Sequence, residues 1–144
     1  MEYRVQVVTL AVDDVDAAIA FYTERAGFGL DVDYHPHAGF RVVQVTPPGS
    51  ACSVQFGVGL TDAAPGSARA TYLTVTDIEA AHRELTGRGV KVSPIRHKSP
   101  VDDWQGDWAS GAAPDRRDYA SLADFADPDG NTWTLQEIGH PVTE

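Results

Sequence analysis

LAVDDVDAA at residues 10–18 returns as LTVTDIEAA at residues 73–81, sixty-three positions later in the same chain. The second copy then lacks one residue, after which the match resumes: GFGLDV at residues 27–32 corresponds to GVKVSP at residues 89–94. A unit this long that occurs twice is not a solenoid, because solenoids stack three or more shorter repeats. The repeat therefore predicts two similar modules in one chain, with a cleft between them in which a ligand would sit.

Each copy combines an apolar strand with an aspartate that can cap a helix. After Asp14, apolar residues follow at the i, i+3, i+4 and i+7 spacing of a buried helix face, and Asp77 precedes a similar stripe. The Pro and Gly of DPDGN at 127–131 predict the turn of a closing hairpin. Both copies thus follow the order strand, helix and three strands, which predicts an α+β fold of two βαβββ modules. The predicted strands are 4–12, 30–35, 40–46 and 51–58 in the first copy, and 70–75, 90–95, 119–126 and 132–137 in the second.

These elements place both modules in a single domain over residues 1–144. Module 1 covers about residues 4–58, a linker of small and polar residues covers 59–69, and module 2 covers about 70–138. Within module 2, residues 96–118 show no periodicity, and a structureless loop of that length is uncommon in a small domain. Such a segment is either an ordered lid or binding loop, or a disordered surface insertion.

The charge of the chain excludes several classes of partner. Twenty-one Asp and Glu against eleven Lys and Arg give a formal net charge of −10, whereas nucleic acids and anionic membranes are bound by clustered Lys and Arg. No apolar stretch approaches the ~20 residues of a membrane span. The N-terminus shows no signal peptide, and the single Cys52 excludes an internal disulfide. We therefore expect a cytoplasmic protein that binds neither nucleic acid nor membrane.

Three features of the chain occur together: the duplicated βαβββ unit, the Val-x-Asp that opens the first helix, and DPDGNTWTLQE at residues 127–137. In these features, about residues 4–138 resemble the vicinal oxygen chelate superfamily of glyoxalases, bleomycin-resistance proteins and extradiol dioxygenases. The resemblance implies that each module curls into a partial barrel and that the concave sheet faces enclose the substrate. It also implies a homodimer, since family members of this length are often dimeric.

The resemblance also gives four positions at which metal-dependent members hold their ion, one on the first strand and one on the last strand of each module. In this chain the positions are Val7, Ala70, Thr134 and Gln55, or Ser53 instead of Gln55 if the register shifts by two. Val and Ala side chains have no ligand atoms, and Thr and Gln are poor neutral ligands for a divalent ion. We therefore expect no metal and no other cofactor at the family site.

Strand alternation predicts which side chains face the cleft. If Thr134 faces it, Tyr72 does too, and so does Asp124, counted back from the DPDG turn. A carboxylate in a mostly apolar cleft could serve as a general acid or base, or could anchor a cationic ligand. Alternatively, Asp124 lies at the rim in a salt bridge to Arg116 or Arg117.

The 96–118 loop contains further candidate contacts. His97 lies near its start, where the side chain could close over a ligand. Trp104 and Trp108 are four apart in an acidic stretch, and exposed indoles suit flat aromatic or cationic ligands. Both Trp could instead fix the loop to the barrel or to a second subunit.

Three functions fit these residues. The first is a metal-free binding protein of the bleomycin-resistance kind. Its ligand would be an organic small molecule that is aromatic and could also be cationic. The second is a metal-independent isomerase, epimerase or lyase with Asp124 as its acid–base group. The third is a metal-dependent lyase or dioxygenase with atypical ligands such as His35 and His37. We favour the first because the family's metal positions lack ligands. The predicted ligand contacts are Gln55, Tyr72, His97, Trp104, Trp108 and Thr134, with Asp124 as the candidate catalytic residue.

Overall fold

The computed structural model of the protein describes residues 1–141 and has an α+β fold. Its chain forms two compact units, each with one mixed sheet and one α-helix. The first unit contains Met1–Arg69 and the turn Asp127–Asn131, and the second contains Ala70–Ala126 and the chain from Thr132 onward. The two-module α+β fold predicted from the repeat is confirmed, and neither sheet closes into a barrel.

The first unit consists of strands Val7–Thr9 (β1), Gly29–His37 (β2), Phe40–Thr46 (β3) and Ser53–Val58 (β4), and of helix Val15–Ala20 (α1). Its four strands lie in the order β1-β4-β3-β2, with β1 parallel to β4 and the other neighbours antiparallel. Val43, Val45, Val54 and Phe56 share one face of the sheet and are at most 4% exposed. This apolar face is the core of the unit.

Helix α1 begins where the sequence predicts. The Asp14 side chain caps it by accepting the N–H of Ala17 at 3.0 Å. The helix continues into a π-helical turn at Phe21–Arg25, whose Tyr22 is completely buried. Gly27 follows with a φ of +79°, a left-handed conformation that glycine adopts without strain and that ends the helix.

The second unit consists of Thr71–Val75 (β5), Ile78–Gly87 (α2), Arg96–Ser99 (β6), Asp107–Ser110 (β7), Leu122–Ala126 (β8) and Thr132–Glu137 (β9). Its five strands lie in the order β5-β9-β8-β6-β7, with β5 parallel to β9. Asp77 caps α2 by accepting the N–H of Ala80 at 3.0 Å, as predicted. Phe125, Trp133 and Leu135 are buried on the face of the sheet against which α2 packs.

The predicted strand at residues 90–95 is wrong. One backbone hydrogen bond links the segment to β8, from the Ser93 N–H to the Asp124 carbonyl at 2.8 Å. The following Pro94 has no N–H to donate, so the ladder cannot continue through it. The strand at this place in the chain is β6, which begins only at Arg96.

The predicted loop at residues 96–118 also differs from the structure, because β6 and β7 form an antiparallel hairpin within it. His97 pairs with Ala109, and Lys98 pairs with Trp108. Polar residues occupy most positions of both strands, so no hydrophobic period marks them in the sequence. The second unit therefore has one strand more than the predicted module.

The DPDGN segment forms the predicted turn between β8 and β9, and its polar side chains are bound within the first unit. The Asp127 carboxylate accepts the hydroxyl of Tyr22 at 2.7 Å and the Asn131 amide at 2.9 Å. The same amide donates to the Ala11 carbonyl at 3.0 Å. No helix in the described part of the chain is long and apolar enough to cross a membrane.

Candidate functional site

The sheet of the second unit has one face that its helix does not cover. Cα partners across a sheet point their side chains to the same side, so the strand register sorts the residues of each face. Leu73, Trp133 and Leu135 lie on the core face. The opposite face, called the open face below, carries Tyr72, Thr74, Arg96, Lys98, Trp108, Leu122, Asp124, Thr132, Thr134 and Gln136.

Asp124 lies near the middle of the open face and is already bound through both carboxylate oxygens. Arg96 donates from Nη1 to Oδ2 at 2.7 Å, and the Thr134 hydroxyl donates to Oδ1 at 2.9 Å. The expected rim pairing with Arg116 or Arg117 is wrong, because the salt bridge is made by Arg96. Asp124 is therefore the carboxylate of a partly exposed ion pair.

Trp108 lies beside this ion pair, with two cations over its ring. The Lys98 ammonium is 3.8 Å from a ring centre, and the Arg96 guanidinium carbon is 4.7 Å from it. Lys98 also donates to the Gly106 carbonyl at 2.7 Å. The attraction expected between this indole and a cationic ligand is thus already satisfied by side chains of the chain itself.

Tyr72 and Thr134 are direct neighbours on the open face, on β5 and β9. Tyr72 is 52% exposed and Trp108 is 48% exposed, whereas Thr134 is buried. The fold thus brings four predicted site residues to one surface: Asp124, Tyr72, Trp108 and Thr134.

Three predicted ligand contacts lie elsewhere. His97 is a buried strand residue on the core side of β6, where Nδ1 is 2.7 Å from the Gly111 carbonyl, so its expected position as a loop residue closing over a ligand is wrong. Trp104 is exposed in the turn between β6 and β7. Gln55 belongs to the first unit, where its amide donates to the Thr9 hydroxyl at 2.8 Å.

The strand register relates the corresponding positions of the two units. In the first, Thr9 of β1 pairs with Gln55 of β4, and in the second, Tyr72 of β5 pairs with Thr134 of β9. Since Thr9 and Tyr72 are equivalent in the sequence repeat, Gln55 rather than Ser53 is the counterpart of Thr134. Both positions carry neutral side chains that are already hydrogen-bonded.

Within residues 1–141, one group of three potential metal ligands comes together, and it lies away from the open face: Asp77, Glu137 and His140. The Arg116 guanidinium lies among these carboxylates, 2.6 Å from Glu137 and 3.3 Å from Asp77. The guanidinium forms ion pairs with both carboxylates. The group is therefore an ion-pair network.

Two functional candidates were missed by sequence reasoning, namely Arg96 and Lys98. Both lie in the segment expected to be a loop, and their common orientation follows only from the β6 register. A signal was present in Arg-His-Lys, residues 96–98, whose alternation places two cations on one side of a strand.

A family model of the Glyoxalase/Bleomycin resistance protein/Dioxygenase superfamily matches residues 4–135. The chain belongs to this superfamily. The predicted resemblance is thereby confirmed over nearly the whole sequence. A comparison with curated proteins gives no match.

Solved structures of the superfamily extend the comparison. TnmS3, an antibiotic binding protein from Streptomyces sp. CB03234, is 29% identical with a TM-score of 0.71, over 95% of this chain and 97% of that one. A glyoxalase/bleomycin resistance protein from the same Streptomyces is 28% identical with a TM-score of 0.68, over 93% and 100% of the two chains. A superfamily member from Sphaerobacter thermophilus DSM 20745 is 27% identical with a TM-score of 0.70, over 94% and 98%.

Proposed function

We propose that this protein binds an organic small molecule with an aromatic part on the open face, as a binding protein of the bleomycin-resistance kind. The observation that carries the proposal is that Tyr72 and Trp108, on the two edge strands β5 and β7 of one sheet face, remain about half exposed. Exposed apolar area rimmed by polar groups is typical of ligand-binding surfaces. Asp124, Arg96 and Thr134 supply such polar groups here.

The state of Asp124 supports binding over acid–base catalysis. Both oxygens of this carboxylate accept a hydrogen bond from the protein, so Arg96 and Thr134 fix its orientation on the sheet face. An ion pair on a surface is better suited to fixing the orientation of polar ligand atoms. Asp124 is thus proposed as a positioning contact for the ligand.

The residues at the family's metal-binding positions argue against the metal-dependent alternative. Val7 and Ala70 have no ligand atoms, and Thr134 donates its hydroxyl to Asp124. Gln55 offers a neutral amide, which binds divalent ions weakly. The likeness to TnmS3, an antibiotic binding protein, adds support for the binding of an organic small molecule.

The proposal is tested with three naphthalenes that carry a neutral, an anionic or a cationic group at the same ring position: 2-naphthalenemethanol, 2-naphthoate and 2-(aminomethyl)naphthalene. We expect at least one of them to quench tryptophan fluorescence saturably and to raise the melting temperature, since ligands that bind the folded state stabilise it. Because Tyr72 and Trp108 lie on opposite edge strands, each is replaced alone, and either Tyr72→Ala or Trp108→Ala is expected to weaken that binding about tenfold, since aromatic contacts dominate such sites.

Tyr3→Ala is the matched control, because Tyr3 is an exposed tyrosine of the first unit outside the second sheet. It should leave the affinity unchanged. If no naphthalene binds, or if Tyr72→Ala and Trp108→Ala both bind as tightly as Tyr3→Ala, the proposal is wrong.

A further inference from the structure

The open face carries more positive than negative charge, which is unexpected in a chain of net charge −10. Its charged residues are Arg96, Lys98 and Asp124. Arg96 is paired with Asp124. Lys98 is the charge that remains.

Lys98 lacks a counterion although it is partly buried. Within residues 1–141, no carboxylate oxygen lies within 4.0 Å of its ammonium nitrogen. An ammonium has three N–H donors, of which the Gly106 carbonyl accepts one and the ring of Trp108 attracts the charge from one side. Donor capacity and positive charge are therefore left for a group from outside the chain.

We propose that the ligand of the open face carries an acidic group, such as a carboxylate, that accepts a hydrogen bond from Lys98 while its aromatic part contacts Trp108, the strand partner of Lys98. This inference rests on the proposed function and specifies the class of ligand. A hydrogen bond from the ammonium to an anion is about twice as strong as one between neutral groups. The anion would also be the counterion that Lys98 lacks.

The same geometry argues against a cationic ligand. A cation placed on the Trp108 ring would lie close to two positive charges. The Lys98 ammonium nitrogen is 3.8 Å and the Arg96 guanidinium carbon 4.7 Å from the ring centre. Like charges at such separations repel each other strongly where water is partly excluded. The ordering expected on the open face is anionic above neutral above cationic.

The naphthalene series measures this ordering directly, by titration calorimetry at low and high salt. We expect 2-naphthoate to bind about tenfold more tightly than 2-naphthalenemethanol, and 2-(aminomethyl)naphthalene to bind most weakly. Raising the salt concentration should weaken the binding of 2-naphthoate and leave the neutral compound unaffected.

Lys98→Met keeps most of the side-chain length and removes the charge. In this variant the preference for 2-naphthoate over 2-naphthalenemethanol should fall to about twofold or less. Arg83→Met removes the same charge from an exposed position on α2 and should keep the full preference. Circular dichroism and urea unfolding, compared with the wild-type protein, show whether the Lys98→Met protein is folded.

The outcomes separate this inference from the proposed function. If neutral and cationic naphthalenes bind as tightly as 2-naphthoate, or if Lys98→Met keeps the anion preference, the inference is wrong and the proposed function stands. If none of the three compounds binds, the proposed function itself fails and the inference fails with it.

Discussion

At the scale of single residues, the partner of Asp124 decides its chemistry. From the sequence, this carboxylate is equally suited to acid–base catalysis and to anchoring a ligand. Arg96, twenty-eight residues earlier, binds it at 2.7 Å, and Thr134 binds its other oxygen. The residue keeps its predicted place on the sheet face, and its ion pair supports the proposed role of a positioning group.

Glu137 and Arg116 form the most buried ion pair described in the second unit. The Glu137 side chain is completely buried and accepts two hydrogen bonds from Arg116, at 2.8 and 2.6 Å, and one from the Ile78 N–H at 2.8 Å. Burial raises the pKa of Glu137, but the hydrogen bonds from Arg116 and from the backbone outweigh it and hold the pKa below its usual range. The pair therefore stabilises the fold at neutral pH.

Arg116→Met is expected to lower the free energy of unfolding at pH 7 by about 2–4 kcal/mol, because the buried Glu137 carboxylate loses its counterion. A carboxylate whose pKa is depressed by folding contributes stability above its unfolded pKa, and the contribution disappears as the pH falls through the folded pKa. The loss caused by Arg116→Met should therefore be largest near pH 7 and shrink toward about pH 3. Urea unfolding followed by circular dichroism at several pH values measures it.

Arg117→Met is the control, since it removes the same charge from an exposed pair with Asp115. This variant should unfold like the wild-type protein. A loss in Arg116→Met that does not vary with pH would contradict the proposed contribution of the Glu137 charge.

At the scale of elements, the helix starts are set by local chemistry that the sequence shows directly. Asp14 and Asp77 each accept the N–H three residues ahead, at 3.0 Å. An extended aspartate at this position satisfies a backbone donor that would otherwise have no partner in the helix. Both caps were therefore predictable from residues close together in the chain.

Asp14→Ala should cost about 1 kcal/mol of unfolding free energy through the loss of the cap on α1. Asp62→Ala is the matched control, since Asp62 is an exposed aspartate outside the helices and strands. Equal midpoints of urea unfolding for the two variants would show that the cap does not stabilise α1.

The β6–β7 hairpin is the element that sequence patterns did not reveal. Its strands are four residues long and mostly polar, and the ladder pairs Arg96 with Ser110 and Lys98 with Trp108. The pairing of a hairpin depends on which backbone groups meet across its turn. In two polar strands, no alternation of apolar and polar residues reveals that pairing. The proposed anion contact depends on this pairing.

At the scale of the whole molecule, contacts between distant parts of the sequence complete the first unit. Tyr22 and Asp127, 105 residues apart, are both buried and are joined by a 2.7 Å hydrogen bond.

The homodimer implied by the family resemblance stays a prediction.

Tyr22→Phe should lower the free energy of unfolding by about 1–3 kcal/mol, because the buried Asp127 carboxylate loses a donor without gaining water. Tyr34→Phe removes a hydroxyl from an exposed side chain and is expected to have no measurable effect. Thermal and urea unfolding of both variants compare the two losses. Equal stability of the two variants would contradict the importance of this contact.

The sequence by itself determined the family, the two-module α+β order, both helix caps and the DPDGN turn. Each of these depends on residues near one another in the chain, or on a repeat that makes one module a guide to the other. Alternation along β5, β8 and β9 likewise placed Tyr72, Asp124 and Thr134 on one face.

Only the tertiary structure decided which charges meet on that face. The pairing of Arg96 with Asp124, the cations over Trp108 and the core position of His97 all follow from the register of a polar hairpin. Charge pairing depends on distances of a few ångströms between side chains that are far apart in sequence, and no local pattern fixes those distances.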